Sequence, residues 1–447
     1  MRRPRALLCL LLCAALLLGL PCAASADDGE PFALTVVTAA GETPIRALQD
    51  TYAGNLYLSL RDLSAALSGT EKQFRYSFSY SNEDGYIFYV STGIPADNAS
   101  SGAAYEARSA VTYLPLRRNR LFVDEHERKY YSYRENSNLY LGLTDIELML
   151  DLTVRPLSDT RLEFLTGTPF RPNPQNLRED GYFDAFHAIV LGDVTNGKLL
   201  FTSQASRAFP IASLSKLMGY LLIAEALERG EVRLSDPVPI SAAAQELSES
   251  ADGIIKLKAG SFVPLEELLS AMLLASSNES ALALAEYTAG SEAAFVARMN
   301  ERARELGLKS AEFYTAHGLP VYVGESVPVK RQNQMSAGEL FTLCGYLLER
   351  FPALTELTAR QYVKLPTLDY TTANSNPLVF NMEGVTGLKT GNTNRAGYCL
   401  AVSLPVTVEG ERHELVLIVL GAESADIRGQ AAEILLRWAR ENYADEY

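Results

Sequence analysis

Apolar residues recur along the second half of the chain with periods that assign elements. In PLEELLSAMLLASSN, Leu265, Leu268, Leu269, Met272 and Leu273 fall at i, i+3, i+4, i+7 and i+8, one face of a helix. From Leu217 to Leu227 the residues are apolar nearly all round, which predicts a central buried helix. SEAAFVARMNERARELGLK is amphipathic, with Ser291 placed as N-cap and Gly307 as the stop. HAIVLGDVTNGKLLFTSQ reads as two strands around Asn196-Gly197, a strong hairpin signal. Beyond Gly384 the pattern returns to strands, in GVTGLKTG, GYCLAVSLPV and HELVLIVLGA, before a last helix from about Ala425 to Asn442. Strands, helices, then strands and a helix predict an α+β fold with one antiparallel sheet packed between helices.

The first half differs. NLYLSLRDLSAAL begins at Asn55 and NLYLGLTDIELML at Asn138, with seven of thirteen positions identical, so the segment reads as a repeat. Each copy predicts a short strand and then a helix start near Asp62 or Asp145, where a carboxylate can cap free N–H groups. Aromatic-rich strands such as FRYSFSYSNEDGYIFYV and RKYYSYRE surround them. Together they predict a small α+β module over 27–166. Its pattern resembles the copper-amine-oxidase-type N-terminal stalk domains of secreted bacterial proteins, which implies a spacer or binding role and no copper. GTPFRPNPQNLREDG, 167–181, reads as a linker, and a second domain runs over 182–447.

The chain's 447 residues exceed one core. A net charge of −14 argues against nucleic acid and anionic membranes as partners. Arg2, Arg3 and Arg5, an apolar run from Ala6 to Leu20, and Ala24-Ser25-Ala26 read as a secretory signal peptide over 1–26, in preference to an uncleaved anchor. Cys9, Cys13 and Cys22 lie within it. Cys344 and Cys399 remain and read as two buried thiols, although a pair outside the cell is open to them. His126, His187, His317 and His413 show no metal-ligand spacing, so no metal or cofactor is expected.

Three short motifs carry candidate chemistry. In FPIASLSKLM, Ser213 and Lys216 are spaced i, i+3 at the head of the apolar run, so on a helix they share a face. A serine hydroxyl needs a base. A lysine serves if burial or a nearby cation lowers its pKa, and the apolar sequence around Lys216 would supply burial. In LLASSNESALALAE, Ser276 and Asn278 offer a second hydroxyl to relay protons and an amide to bond Lys216 or a substrate carbonyl. In GVTGLKTGNTNRAGYC, Lys389 would place positive charge at the site and depress the Lys216 pKa. Thr390 would bind a substrate carboxylate, and Gly391 would let a substrate lie against the strand. Asn392 would give a backbone N–H to an oxyanion hole, with the N–H of Ser213 as the other donor.

The order of these motifs is that of penicillin-binding proteins and class A β-lactamases. From about Tyr182 to Glu441, through FPIASLSKLM, SSNESALALAE, FVARMNERARELGLKSAEFYTAHGLP and GVTGLKTGNTNRAGYCLAVS, the chain closely resembles the low-molecular-mass D-alanyl-D-alanine carboxypeptidases. The resemblance implies a penicillin-binding transpeptidase fold. It also implies attack by Ser213 on the bond between two D-alanines of a peptidoglycan stem, with Lys216 taking its proton. Ser276 and Asn278 would pass a proton to the leaving D-alanine, Lys389, Thr390, Gly391 and Asn392 would bind substrate, and β-lactams would acylate Ser213. The site of action would be outside the cytoplasmic membrane. Where the family usually has Gly and Asp around the Asn of the second motif, this chain has Ser277 and Glu279, and Ser277 is expected to add bulk beside the cleft. Ser215 stands for the usual Thr. TANSNPLVF lacks the Arg found upstream of KTG in many members, with Arg395 as a nearby substitute. His317 in TAHGLP reads as structural rather than as a proton-transfer group. The last helix ends close to Tyr447, so the usual C-terminal domain and amphipathic anchor are expected to be absent, with the N-terminal module as a positioning device. The alternatives are a β-lactamase, disfavoured by the lack of an ExxLN segment between the second and third motifs, and a non-catalytic penicillin-sensing or wall-binding protein.

Overall fold

The computed structural model describes residues 33–49, 56–96, 117–135, 137–179, 181–323 and 329–445. The expected signal segment, with Cys9, Cys13 and Cys22, lies outside them. The chain divides into two compact units, 1–182 and 183–447.

In the first unit the two copies of the repeat meet. Strands Leu56–Ser59 and Asn138–Gly142 pair antiparallel, with Leu58 opposite Leu141, Tyr57 opposite Gly142 and Ser59 opposite Tyr140. Leu58 and Leu141 are equivalent positions of the two copies, so a local two-fold relates them inside an eight-stranded sheet. Each strand runs straight into a helix, Leu60–Ala66 or Leu143–Leu150, whose buried leucines join one core. The carboxylate cap expected at Asp62 is replaced. Ser59 Oγ caps the helix by accepting from Asp62 N, while the Asp62 carboxylate accepts from Arg46 N, Nε and Nη2 at 3.0, 2.7 and 2.8 Å. A guanidinium fork binds a carboxylate more strongly than a free amide does. The aromatic strands Phe74–Ser81 and Gly85–Thr92 belong to a separate four-stranded sheet. A short helix, Pro174–Glu179, occupies part of the stretch read as linker, with Pro174 in its first turn, where no N–H is needed.

The second unit is built on a five-stranded antiparallel sheet. Its edge strands are Lys198–Ser203 and Gly387–Thr393, and between them run Ala188–Asp193, Glu411–Ala422 and Gly397–Val408. Eight consecutive residues, Leu415–Ala422, are buried, so helices cover both faces. The covering helices include Ala337–Arg350 and Ala425–Asn442. The hairpin turns at Gly197 with φ +74. Helix Glu292–Glu305 starts at Ser291, whose Oγ accepts from Ala294 N, and stops before Gly307 at φ +73. Helix Lys216–Glu228 is buried almost throughout. Cys344 and Cys399 are separate buried thiols whose pKa values burial pushes up, to about 12 and about 11. No helix among the described residues is long and apolar enough to cross a membrane.

Candidate active site

Ser213 stands just before the buried helix, not within it. Strand Ala208–Pro210 delivers the chain to a tight 3-10 turn, Ala212–Ser215, which leads into helix Lys216–Glu228. Ala212 has φ +48, a left-handed conformation that costs a non-glycine residue roughly 1–3 kcal/mol. Ser215 Oγ donates to the Ala212 carbonyl and closes the turn. Side chains three apart eclipse each other in such a turn. Ser213, half-buried, therefore meets Lys216, which is fully buried, with Lys216 Nζ 2.7 Å from Ser213 Oγ.

Lys216 Nζ has two further partners, Asn278 Oδ1 at 2.8 Å and the carbonyl of His317 at 2.8 Å. Both are acceptors only. The Asn278 amide cannot turn over freely, because its Nδ2 donates to the Asp252 carbonyl at 2.9 Å. A neutral amine has two protons and one lone pair. Once both protons are given to Asn278 and His317, the lone pair faces the hydroxyl of Ser213. Burial pushes the Lys216 pKa down to about 7, partly opposed by the Glu279 carboxylate, so the neutral form is accessible at neutral pH. Burial, rather than the charge of Lys389, is thus what lowers it. Lys389 is itself held well below the ordinary lysine value, by burial first and then by Lys216 and Arg428.

His317 contributes through its backbone. Its ring Nδ1 accepts from Leu319 N, and burial, with Lys216 nearby, drives its pKa to about 3, so the ring is neutral. Next to it Gly318, φ +93, passes the nucleophile turn so closely that a Cβ would stand 2.1 Å from the Ala212 carbonyl oxygen. This is the physical demand behind the HGL segment, and only the tertiary structure exposes it.

Ser276 sits at φ +66, where a π-helical turn over Ala271–Ala275 ends. Its Oγ makes no hydrogen bond to a described residue, so the structure joins Asn278, but not Ser276, directly to Lys216. Ser277 does not crowd the cleft as expected. It is fully buried, and its Oγ accepts from Ser280 N and donates to Ser280 Oγ, which makes it the N-cap of helix Asn278–Ala289. A hydroxyl beside free helix N–H groups is drawn to them instead of to solvent.

The third motif lies on the edge strand Gly387–Thr393. A Cβ on Gly391 would stand 2.8 Å from Ser213 N and 3.2 Å from Ala212 Cβ. The missing side chain therefore makes room for the chain's own nucleophile turn, a closer neighbour than the substrate first expected there. Ser213 N has no acceptor among the described residues. Lys389 is buried, with Nζ donating to the Thr390 carbonyl at 2.8 Å. Thr390 Oγ1 lies 2.6 Å from Ser375 Oγ. Ser375 was missed from sequence. It is held in a turn where Asn374 and Asn376 side chains accept from Asn376 N and Leu378 N, and the NSNP pattern is the signal that marks it. Asn392 and Arg395 are exposed. Arg428, on the last helix and buried, is a guanidinium whose charge also lowers the Lys389 pKa.

A family model described as D-alanyl-D-alanine carboxypeptidase matches residues 175–424, more than half of the chain. D-alanyl-D-alanine carboxypeptidase DacF of Bacillus subtilis is 31% identical over 257 residues, 57% of this chain and 62% of that protein. DacD of Escherichia coli is 30% identical over 279 residues, 62% of this chain and 66% of that protein. The chain thus spans less than two thirds of these relatives. Among solved structures, a peptidoglycan synthesis regulatory factor from Streptococcus pneumoniae superposes with TM-score 0.52 at 29% identity, covering 57% of this chain and 71% of the other. Penicillin binding protein 6B of Escherichia coli gives 0.50 at 29% identity, covering 57% and 78%.

Proposed function

The chain belongs to the D-alanyl-D-alanine carboxypeptidase family of serine peptidases, and from that premise we propose that it removes the terminal D-alanine from peptidoglycan stem peptides. Ser213 Oγ attacks the carbonyl of the penultimate D-alanine as its proton passes to neutral Lys216. The oxyanion is met by the N–H groups of Ser213 and Asn392. The terminal carboxylate is received by Lys389 and Thr390, with Ser375 holding the Thr390 hydroxyl and Arg428 adding positive charge. Lys216 returns its proton to the leaving amine through the Ser276 hydroxyl, while Asn278 keeps the ammonium in place. Water then attacks the ester on Ser213, with Lys216 again taking the proton, and releases the shortened peptide. β-Lactams acylate the same oxygen. The substrate lies outside the cytoplasmic membrane, in keeping with a secreted chain.

The carrying observation is that two of the three partners of Lys216 are obligate acceptors, which leaves Ser213 as the one proton source. Incubation with a D-Ala-D-Ala peptide should release D-alanine, and penicillin should add its mass to Ser213 and stay for many minutes. Rapid release of hydrolysed penicillin would assign a β-lactamase instead. A stable adduct without D-alanine release would assign a sensor.

A further inference from the structure

We propose that Glu279 is a positioning residue of this site: its carboxylate clamps the segment that fixes the Asn278 amide, and its buried charge lies within reach of Lys216. The inference rests on Lys216 being the base for Ser213.

Glu279 follows Asn278 in the first turn of helix Asn278–Ala289, whose start is set by the Ser277 cap. The two side chains diverge and then converge on one segment. Asn278 Nδ2 donates to the carbonyl of Asp252. Glu279 Oε1 accepts from Ile254 N at 3.1 Å and from Ile255 N. The carboxylate therefore holds the backbone just past the carbonyl that orients the Asn278 amide. Were that carbonyl to move, Asn278 would lose the contact that aims Oδ1, and not Nδ2, at Lys216. Nδ2 in that place would set a donor against a donor.

The second half of the role is electrostatic. Glu279 is fully buried, and its Oε2 has no hydrogen-bond partner among the described residues. A buried anion with one oxygen unsatisfied is costly unless a cation lies near. Among the described residues, the groups whose charges couple to Lys216 are Glu279, His317 and Lys389, with Arg428 acting on Lys389. His317 is neutral, and neither Lys389 nor Arg428 favours the Lys216 ammonium. Glu279 alone of these favours it. It keeps the amine from losing its proton too readily, so that an ammonium is available to protonate the leaving group.

The test is the pH profile of penicillin acylation in full-length protein, read as adduct formation by intact mass for wild type, Glu279→Gln and Glu279→Asp. Glutamine keeps the size and one carbonyl oxygen for Ile254 N and Ile255 N but removes the charge. Its acid limb should move down by about one pH unit, roughly a tenfold gain in relative rate below the midpoint. Aspartate keeps the charge, so its midpoint should stay at the wild-type value. A glutamine variant with the wild-type midpoint would overturn the proposal. If that variant fails to fold, the isosteric pair Glu279→Asp and Glu279→Asn decides: an asparagine midpoint about one pH unit below that of aspartate supports the role, and equal midpoints remove it. A wild type that never acylates refutes the function itself, and this role with it, which separates the two failures.

Discussion

Lys216 Nζ lies 2.7 Å from Ser213 Oγ while Asn278 Oδ1 and the His317 carbonyl take the amine's other two directions. The pair is a proton donor and acceptor held in register by groups that cannot exchange roles. That relationship makes the identity of the base, and not only its charge, a testable matter.

A guanidinium stays protonated at any ordinary pH and cannot accept a proton. Lys216→Arg should therefore acylate as poorly as Lys216→Met, each slower than wild type on the order of 10²–10⁴-fold. Intact mass after timed exposure to penicillin measures this. An arginine variant with near wild-type rate would remove general-base catalysis by this residue.

Acylation should rise with pH through about 7, because the neutral amine is the active form and burial lowers Lys216 to that value. Protonation below the midpoint leaves the amine no lone pair for Ser213. Adduct formation followed from pH 5 to 9 should show one acid limb. A rate flat across that range would contradict the neutral-lysine mechanism.

Gly391→Ala places a methyl 2.8 Å from Ser213 N, closer than real Cβ atoms stand. Neither neighbour is a flexible side-chain tip, so strand and turn must part. D-alanine release should fall more than tenfold while the circular dichroism spectrum is kept. Unchanged turnover would show that the strand and the nucleophile turn are not held together.

Ser277→Ala removes a helix cap rather than cleft bulk, so stability should fall by about 1 kcal/mol with the acylation rate kept within a few-fold. Urea unfolding of the variant against wild type measures the first, and the adduct assay the second.

In the first unit, burial pushes Glu147 up to about 8, against an unfolded value near 4.5. Between those values the folded state holds a proton that the unfolded chain has lost. Stability is therefore full below about pH 4.5 and falls as pH rises toward 8, by about 1.4 kcal/mol per pH unit. Glu147→Gln should raise the melting temperature of this unit at pH 8 and change it little at pH 4.5. A variant no more stable than wild type at pH 8 would show that this carboxyl is not buried uncharged.

Much of the site was legible because its chemistry needs particular side chains at short spacings. Ser213 and Lys216 had to lie one turn apart, and a buried helix had to follow. Ser291 and Gly307 bound their helix by local capping rules that operate within a few residues. What stayed hidden came from backbone groups and from distant partners. A carbonyl such as that of His317 carries no residue-type signal. Ser375 looked like loop until Thr390, fifteen positions on, stood against it.

Local periodicity, caps and the three motifs determined by themselves that this chain forms an antiparallel sheet between helices and carries a serine, lysine and asparagine suited to acyl transfer. Only the tertiary structure decided that Asn278 and the His317 carbonyl hold Lys216 against Ser213, that Ser277 caps rather than obstructs, and that Gly391 yields space to the chain's own turn. The reason is range. Capping and periodicity act over one or two turns of backbone, whereas desolvation and close approach depend on segments that meet only after the whole sheet has closed around them.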